Sequence, residues 1–138
     1  MNGRYTKLFV MVAALAVLGI AAGAATAKKR KTIYFKNTVS FEIKNNTAGQ
    51  DKVEGAVTSF KPACVADRKV QIVEALGEQT NPVVAVLTQT GGKYHARVPG
   101  GLLAGHSYFA YLPRKTIFKT QKKKGVCVSA QSTPVPIP

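Results

Sequence analysis

His95 and His106 are the only histidines in this chain, and they could support the widest range of chemistry. A histidine beside a serine hydroxyl would supply a nucleophile and its general base. No serine sits in the G-x-S-x-G turn that presents such a nucleophile, and neither histidine lies in a motif that would aim it at one. His95 alternates with Lys93 and Arg97, which turns it toward solvent, and His106 follows Ala104-Gly105 at the start of an extended stretch. Glycoside hydrolysis would need an acid and a base drawn from Glu54, Asp67, Glu74 and Glu78, and their spacing favours no pair. Phosphate-binding glycine loops are absent from the sequence. The expectation is a binding protein with no catalytic site, no cofactor and no metal. A small hydrolase built on one of the histidines is the alternative from a different class.

Cys64 and Cys127 complete the reactive inventory. They form no C-x-x-C pair, and neither histidine is near either of them in sequence. In an exported chain, an even pair reads most simply as one structural disulfide. A redox pair or metal ligands are the rival readings.

Charge is the strongest signal. Twenty Lys+Arg stand against six Asp+Glu, a formal charge of +14 in 138 residues. One basic block is Lys28, Lys29, Arg30 and Lys31. A second is Arg114, Lys115, Lys119, Lys122, Lys123 and Lys124. Such a charge attracts polyanions and speeds their association. The partner expected is an anionic cell-envelope polymer or a surface protein. Tyr34-Phe35-Lys36 and Ile117-Phe118-Lys119 interleave aromatics with cations in the way that suits stacking on bases, but nucleic acid is not the proper ligand of an exported chain. The bland counterpart is that Lys keeps a small domain soluble and blunts its sheet edges.

Export itself is read from the first 27 residues. Arg4 and Lys7 precede an apolar run from Leu8 to Ile20, and Ala25-Thr26-Ala27 presents small residues for cleavage. This is the pattern of a secretory signal peptide, leaving no stable membrane span after cleavage and a secreted, extracellular or envelope-associated protein. A retained anchor is the competing reading, because Leu8–Ala27 is long enough to span. Removing Arg4 and Lys7 leaves a charge of +12 on Lys28–Pro138.

The elements that must position these residues are strands. Val39, Phe41 and Ile43 alternate with polar neighbours, as do Tyr94, Ala96 and Val98. Val53–Ser59, Val70–Leu76, Val83–Leu87 and Tyr108–Leu112 read as further strands, with Pro134–Pro138 as a last edge strand. Gly91-Gly92 predicts a tight hairpin between Val83–Thr90 and Lys93–Val98, and Gly125 after Lys122–Lys124 predicts a flexible turn. Residues 28–51 read as a basic arm and first strand, and 52–138 as the main domain.

Several segments together carry a resemblance. Glu54-Gly55-Ala56-Val57-Thr58-Ser59 is followed by Cys64, Arg68-Lys69-Val70-Gln71-Ile72 and Thr90-Gly91-Gly92-Lys93-Tyr94. Then come Ala104-Gly105-His106-Ser107-Tyr108-Phe109-Ala110 and Cys127-Val128-Ser129-Ala130-Gln131-Ser132. Over roughly Lys52–Ile137 the chain resembles small secreted bacterial β-sandwich domains of the prealbumin-like or carboxypeptidase-regulatory-like kind. The resemblance implies an all-β, seven- or eight-stranded two-sheet sandwich with a Cys64–Cys127 bridge. It brings no catalytic residue, and it implies an accessory or binding role.

Overall fold

The computed structural model describes residues 28–45 and 51–138. The expected signal segment lies outside the described residues, as do residues 46–50.

The N-terminal half runs β1 (Lys31–Phe35), β2 (Asn37–Val39), β3 (Glu42–Asn45) and β4 (Lys52–Ser59), then one 3₁₀ turn at Pro62–Cys64. It continues with β5 (Lys69–Leu76), β6 (Gln79–Leu87) and β7 (Lys93–Arg97). After these come β8 (Ser107–Leu112), β9 (Lys115–Lys119), β10 (Lys123–Cys127), β11 (Ala130–Gln131) and β12 (Val135–Pro136). The chain is therefore all-β, and Cys64 and Cys127 are joined in a disulfide with Cα atoms 5.6 Å apart.

Strand count and layering differ from expectation. Seven or eight strands in two sheets were expected, and the described residues form twelve strands in three sheets. A five-stranded sheet runs β11–β8–β5–β6, with β12 also on β8. In a four-stranded sheet β4 pairs with β2 and β3 along one edge and with β7 along the other. A three-stranded sheet runs β1–β10–β9.

Two local causes explain the extra strands. The alternating stretch Val39–Ile43 breaks at Ser40 into β2 and β3. There the Ala56 N–H donates to Ser40 Oγ at 2.9 Å, so a side chain stands in for the ladder carbonyl. The freed Ser40 carbonyl accepts from the Tyr94 hydroxyl, which reaches it through the space over Gly55. Gly55 and Tyr94 are register partners between β4 and β7. The second cause is Thr120. Its hydroxyl accepts the Lys123 N–H at 3.0 Å and closes a short turn at Thr120–Lys122. Lys123 and Lys124, expected in a flexible turn, consequently belong to β10.

The glycine turn forms, but its hairpin does not. Gly92 has φ 81° and donates to the Gln89 carbonyl at 2.8 Å, while Gln89 N–H donates to Lys93 at 2.8 Å. Beyond the turn the strands part: β6 stays on β5 and β7 crosses to β4. The aromatic ring of Tyr94 finds room over Gly55, and it is 2% exposed there.

One apolar cluster unites the two larger sheets. Val53, Val57, Tyr94 and Ala96 from one meet Val70, Ile72, Tyr108, Ala110 and Leu112 from the other, with Val39 and Ile137 alongside. Burying each large member contributes roughly 1.5–3 kcal/mol. As expected, the proline-rich tail forms an edge strand, with Val135 opposite Tyr108. The disulfide fastens the 3₁₀ turn to β10, tying the three-stranded sheet to the rest of the domain.

Candidate polyanion-binding surface

β1 and β10 lie parallel, with Lys31 opposite Lys123 and Thr32 opposite Lys124. β10 and β9 lie antiparallel, with Lys124 opposite Lys119. Lys31 N–H donates to the Lys122 carbonyl at 3.0 Å. The two basic blocks, far apart in sequence, thus converge at one end of one sheet. Lys28, Lys29 and Arg30 extend from that end as exposed chain, and Lys119, Lys122 and Lys123 are exposed, with Lys124 half-buried.

The other end of the sheet is cationic and aromatic. The Arg114 guanidinium lies 5.3 Å from the centroid of the Tyr34 ring, and Tyr34 is 58% exposed. Lys115 is opposite Cys127 and donates to the Asp67 carbonyl at 3.4 Å. Lys61 Nζ is 5.7 Å from the Phe35 ring, and Phe35 packs edge-on to Phe118 at 6.5 Å. Phe118 in turn fills the space where a side chain on Gly125 would sit. These aromatic contacts pack the three strands against one another.

No acid lies on β1, β9 or β10. Four of the six acids are engaged elsewhere. Glu42 and Glu54 both pair with Lys44, at 3.0 and 3.3 Å. Asp51 is buried and accepts the Leu102 N–H. Glu74 is buried and pairs with His106. Among the described residues no ion pair neutralises a lysine of the three-stranded sheet. Like charges at register positions repel, so this end of the sheet attracts counterions in solution.

Arg68 takes no part in this surface. It is 1% exposed, and its guanidinium donates to the Cys64 carbonyl at 2.9 Å and the Pro113 carbonyl at 2.5 Å. Burial lowers its affinity for the proton from the usual arginine value. The residue braces the disulfide region and offers nothing to a ligand. Lys61, by contrast, joins the cationic end and went unnoticed in the sequence. It is an isolated loop lysine, brought there only by the turn out of β4.

The histidines separate. His95 is exposed on β7. His106 Nδ1 lies 2.6 Å from Glu74 Oε1, and the Tyr108 hydroxyl donates to the same oxygen at 3.0 Å while accepting the Leu103 N–H at 3.0 Å. The His106 hydrogen bond holds the Glu74 carboxyl below its usual range. Burial pushes the Tyr108 hydroxyl up. Among the described residues no serine hydroxyl bonds to His106, and no three His, Cys, Asp or Glu side chains stand together as metal ligands would. An open cleft of about 400 Å³ lies over Gly55 and Tyr94, lined by Glu42, Glu54, Lys93 and His95 among others.

No protein family, characterised protein or solved structure matches this chain. The reading of the surface rests on its own geometry. Among the described residues no helix is long and apolar enough to cross a membrane.

Proposed function

We propose that this protein is an exported, non-catalytic binding module whose ligand is an anionic polymer of the cell envelope, held against the β1–β10–β9 sheet. One observation carries the reading: two basic blocks from opposite ends of the chain meet on adjacent strands that contain no acid. Solubility alone would be served by lysines spread over the surface, with no need of this convergence. The exposed ring of Tyr34 and the arm of Lys28–Arg30 extend the surface along a polymer chain. The disulfide supports an oxidising, extracytoplasmic setting. A prealbumin-like sandwich core formed by the two larger sheets, and the accessory role that the resemblance implies, belong to the same proposal. The sandwich core is supported by the apolar cluster those sheets share.

The test is retention on wall teichoic acid and on heparin, as soluble probes, across a salt series. Binding should fall steeply and log-linearly with salt, as counterion release requires. Absence of binding at low salt, or binding indifferent to salt, would overturn the reading.

A further inference from the structure

Every sheet has edges, and among the described residues most of them are guarded against pairing. β1 begins with Lys31, and β9 carries Lys115 and Lys119. β3 carries Glu42 and Lys44, and β7 presents Lys93, His95 and Arg97. β11 and β12 are two residues each, and β12 lies among prolines. Charge, brevity and proline are the usual devices against edge-to-edge pairing.

β6 has little of this. It is the outer strand of the five-stranded sheet and, among the described residues, pairs only with β5. It is nine residues long, Gln79–Leu87, and has no charged residue. The uncharged stretch continues to Gly92, within a chain of formal charge +14. Ala85 is exposed and Leu87 is 61% exposed. Pro82 is one guard, and a register shift against Ile72/Val73, which leaves Val83 without a β5 partner, is a second; Val84–Leu87 beyond them pairs regularly with β5.

We propose that β6 is a homodimerisation edge, at which two copies of this chain join their five-stranded sheets by antiparallel pairing of Val83–Leu87. An antiparallel pair of identical strands is two-fold symmetric, so the same segment is its own complement. With Ala85 on the axis, Val84 faces Val86 of the second copy and Val83 faces Leu87. Backbone N–H and C=O groups supply the bonds, and the β-branched side chains pack across the seam. Charge selects this edge. Two copies of +12 repel at any cationic edge, and among the described residues β6 is the one edge strand longer than three residues that brings no charges together. A dimer would also present two cationic sheets to one polymer, a consequence that rests on the binding proposal, whereas the dimer itself does not.

Salt separates the two proposals, because it screens repulsion between copies while weakening polyanion binding. Sedimentation of the purified protein should show a concentration-dependent dimer that tightens as salt rises. Ala85→Lys and Leu87→Lys alter exposed side chains and should weaken dimerisation by about tenfold or more. Their circular dichroism and their binding to heparin at single-site density should match the parent. The Lys122→Gln/Lys123→Gln/Lys124→Gln variant should dimerise at least as well as the parent. Hydrogen exchange should show alternate amides of Val83–Leu87 becoming protected with concentration. A monomer at all salts up to about 100 µM, a weak-complex concentration, overturns the proposal. So does a dimer that dissolves in salt, or one indifferent to both lysine substitutions on β6.

Discussion

Lys31 and Lys123 are direct register partners across the parallel β1–β10 pair, and the Lys31 amide is bonded to the Lys122 carbonyl. Strand pairing holds these cations together whether or not a ligand is present. Their repulsion is built into the folded state, and the anionic ligand proposed above would relieve it.

The first prediction concerns that relief. Changing Lys122, Lys123 and Lys124 to Gln should lower heparin affinity and flatten the salt dependence by roughly one unit of log–log slope per cation that contacts the polymer. Folding stability should hold or rise, because three like charges leave a crowded strand end. Titration of the variant at several salts measures the slope, and thermal unfolding measures the stability.

The disulfide tests how firmly the cationic sheet is attached. Cys64 and Cys127 are 63 positions apart and both fully buried. Replacing both by Ser should cost roughly 4 kcal/mol by loop-closure entropy. Denaturant unfolding with and without reductant checks this. The variant should also lose heparin affinity if β10 is the attachment point.

Gly55→Ala should be strongly destabilising. A Cβ there would overlap both the Ser40 carbonyl and the Tyr94 hydroxyl. The hydrogen bond between them would have to break, and Tyr94 would have to leave its buried site. Tyr94→Phe should be milder, about 1–3 kcal/mol, because it orphans the Ser40 carbonyl without moving backbone. The order of the two effects in urea unfolding is the check.

Arg68→Met should cost about 2–3 kcal/mol despite preserving apolar bulk. It leaves the Cys64 and Pro113 carbonyls without their donor. Heparin binding by the folded variant should be unchanged, which separates Arg68 from the cationic surface.

Glu74 sets an acid limit on stability. Hydrogen bonding to His106 lowers its pKa from a reference of 4.5. A carboxyl depressed in the folded state contributes stability above its unfolded value and loses it as pH falls through the folded one. Melting temperature should therefore drop on acidification below about pH 4.5 in the parent. The drop should be shallower in Glu74→Gln, as measured by melting scans from neutral pH downward.

Strand character was legible in particular residues. The alternation of Tyr94, Ala96 and Val98 gave the inward face of β7, and all three are buried. The even cysteine count gave the disulfide. The break at Ser40 was not legible, because it depends on Tyr94 arriving from a strand far along the chain. The parting of β6 and β7 was hidden for a related reason. A Gly-Gly turn reports local backbone geometry, and which neighbour a strand then joins depends on where Tyr94 can be buried.

The cationic surface divides in the same way. Composition and block positions fixed the amount of charge and the residues that carry it. Whether those residues act together depended on a parallel pairing that no local pattern encodes, because β1 and β10 meet only after the intervening strands have formed the two larger sheets. Arg68 makes the complementary case. Its charge counts toward the total, and tertiary burial against two carbonyls takes it out of the surface. Sequence alone determined local periodicity, total charge and the cysteine pair, because each is a property of neighbours or of counts. Tertiary structure decided which charges share a surface, because that depends on long-range packing.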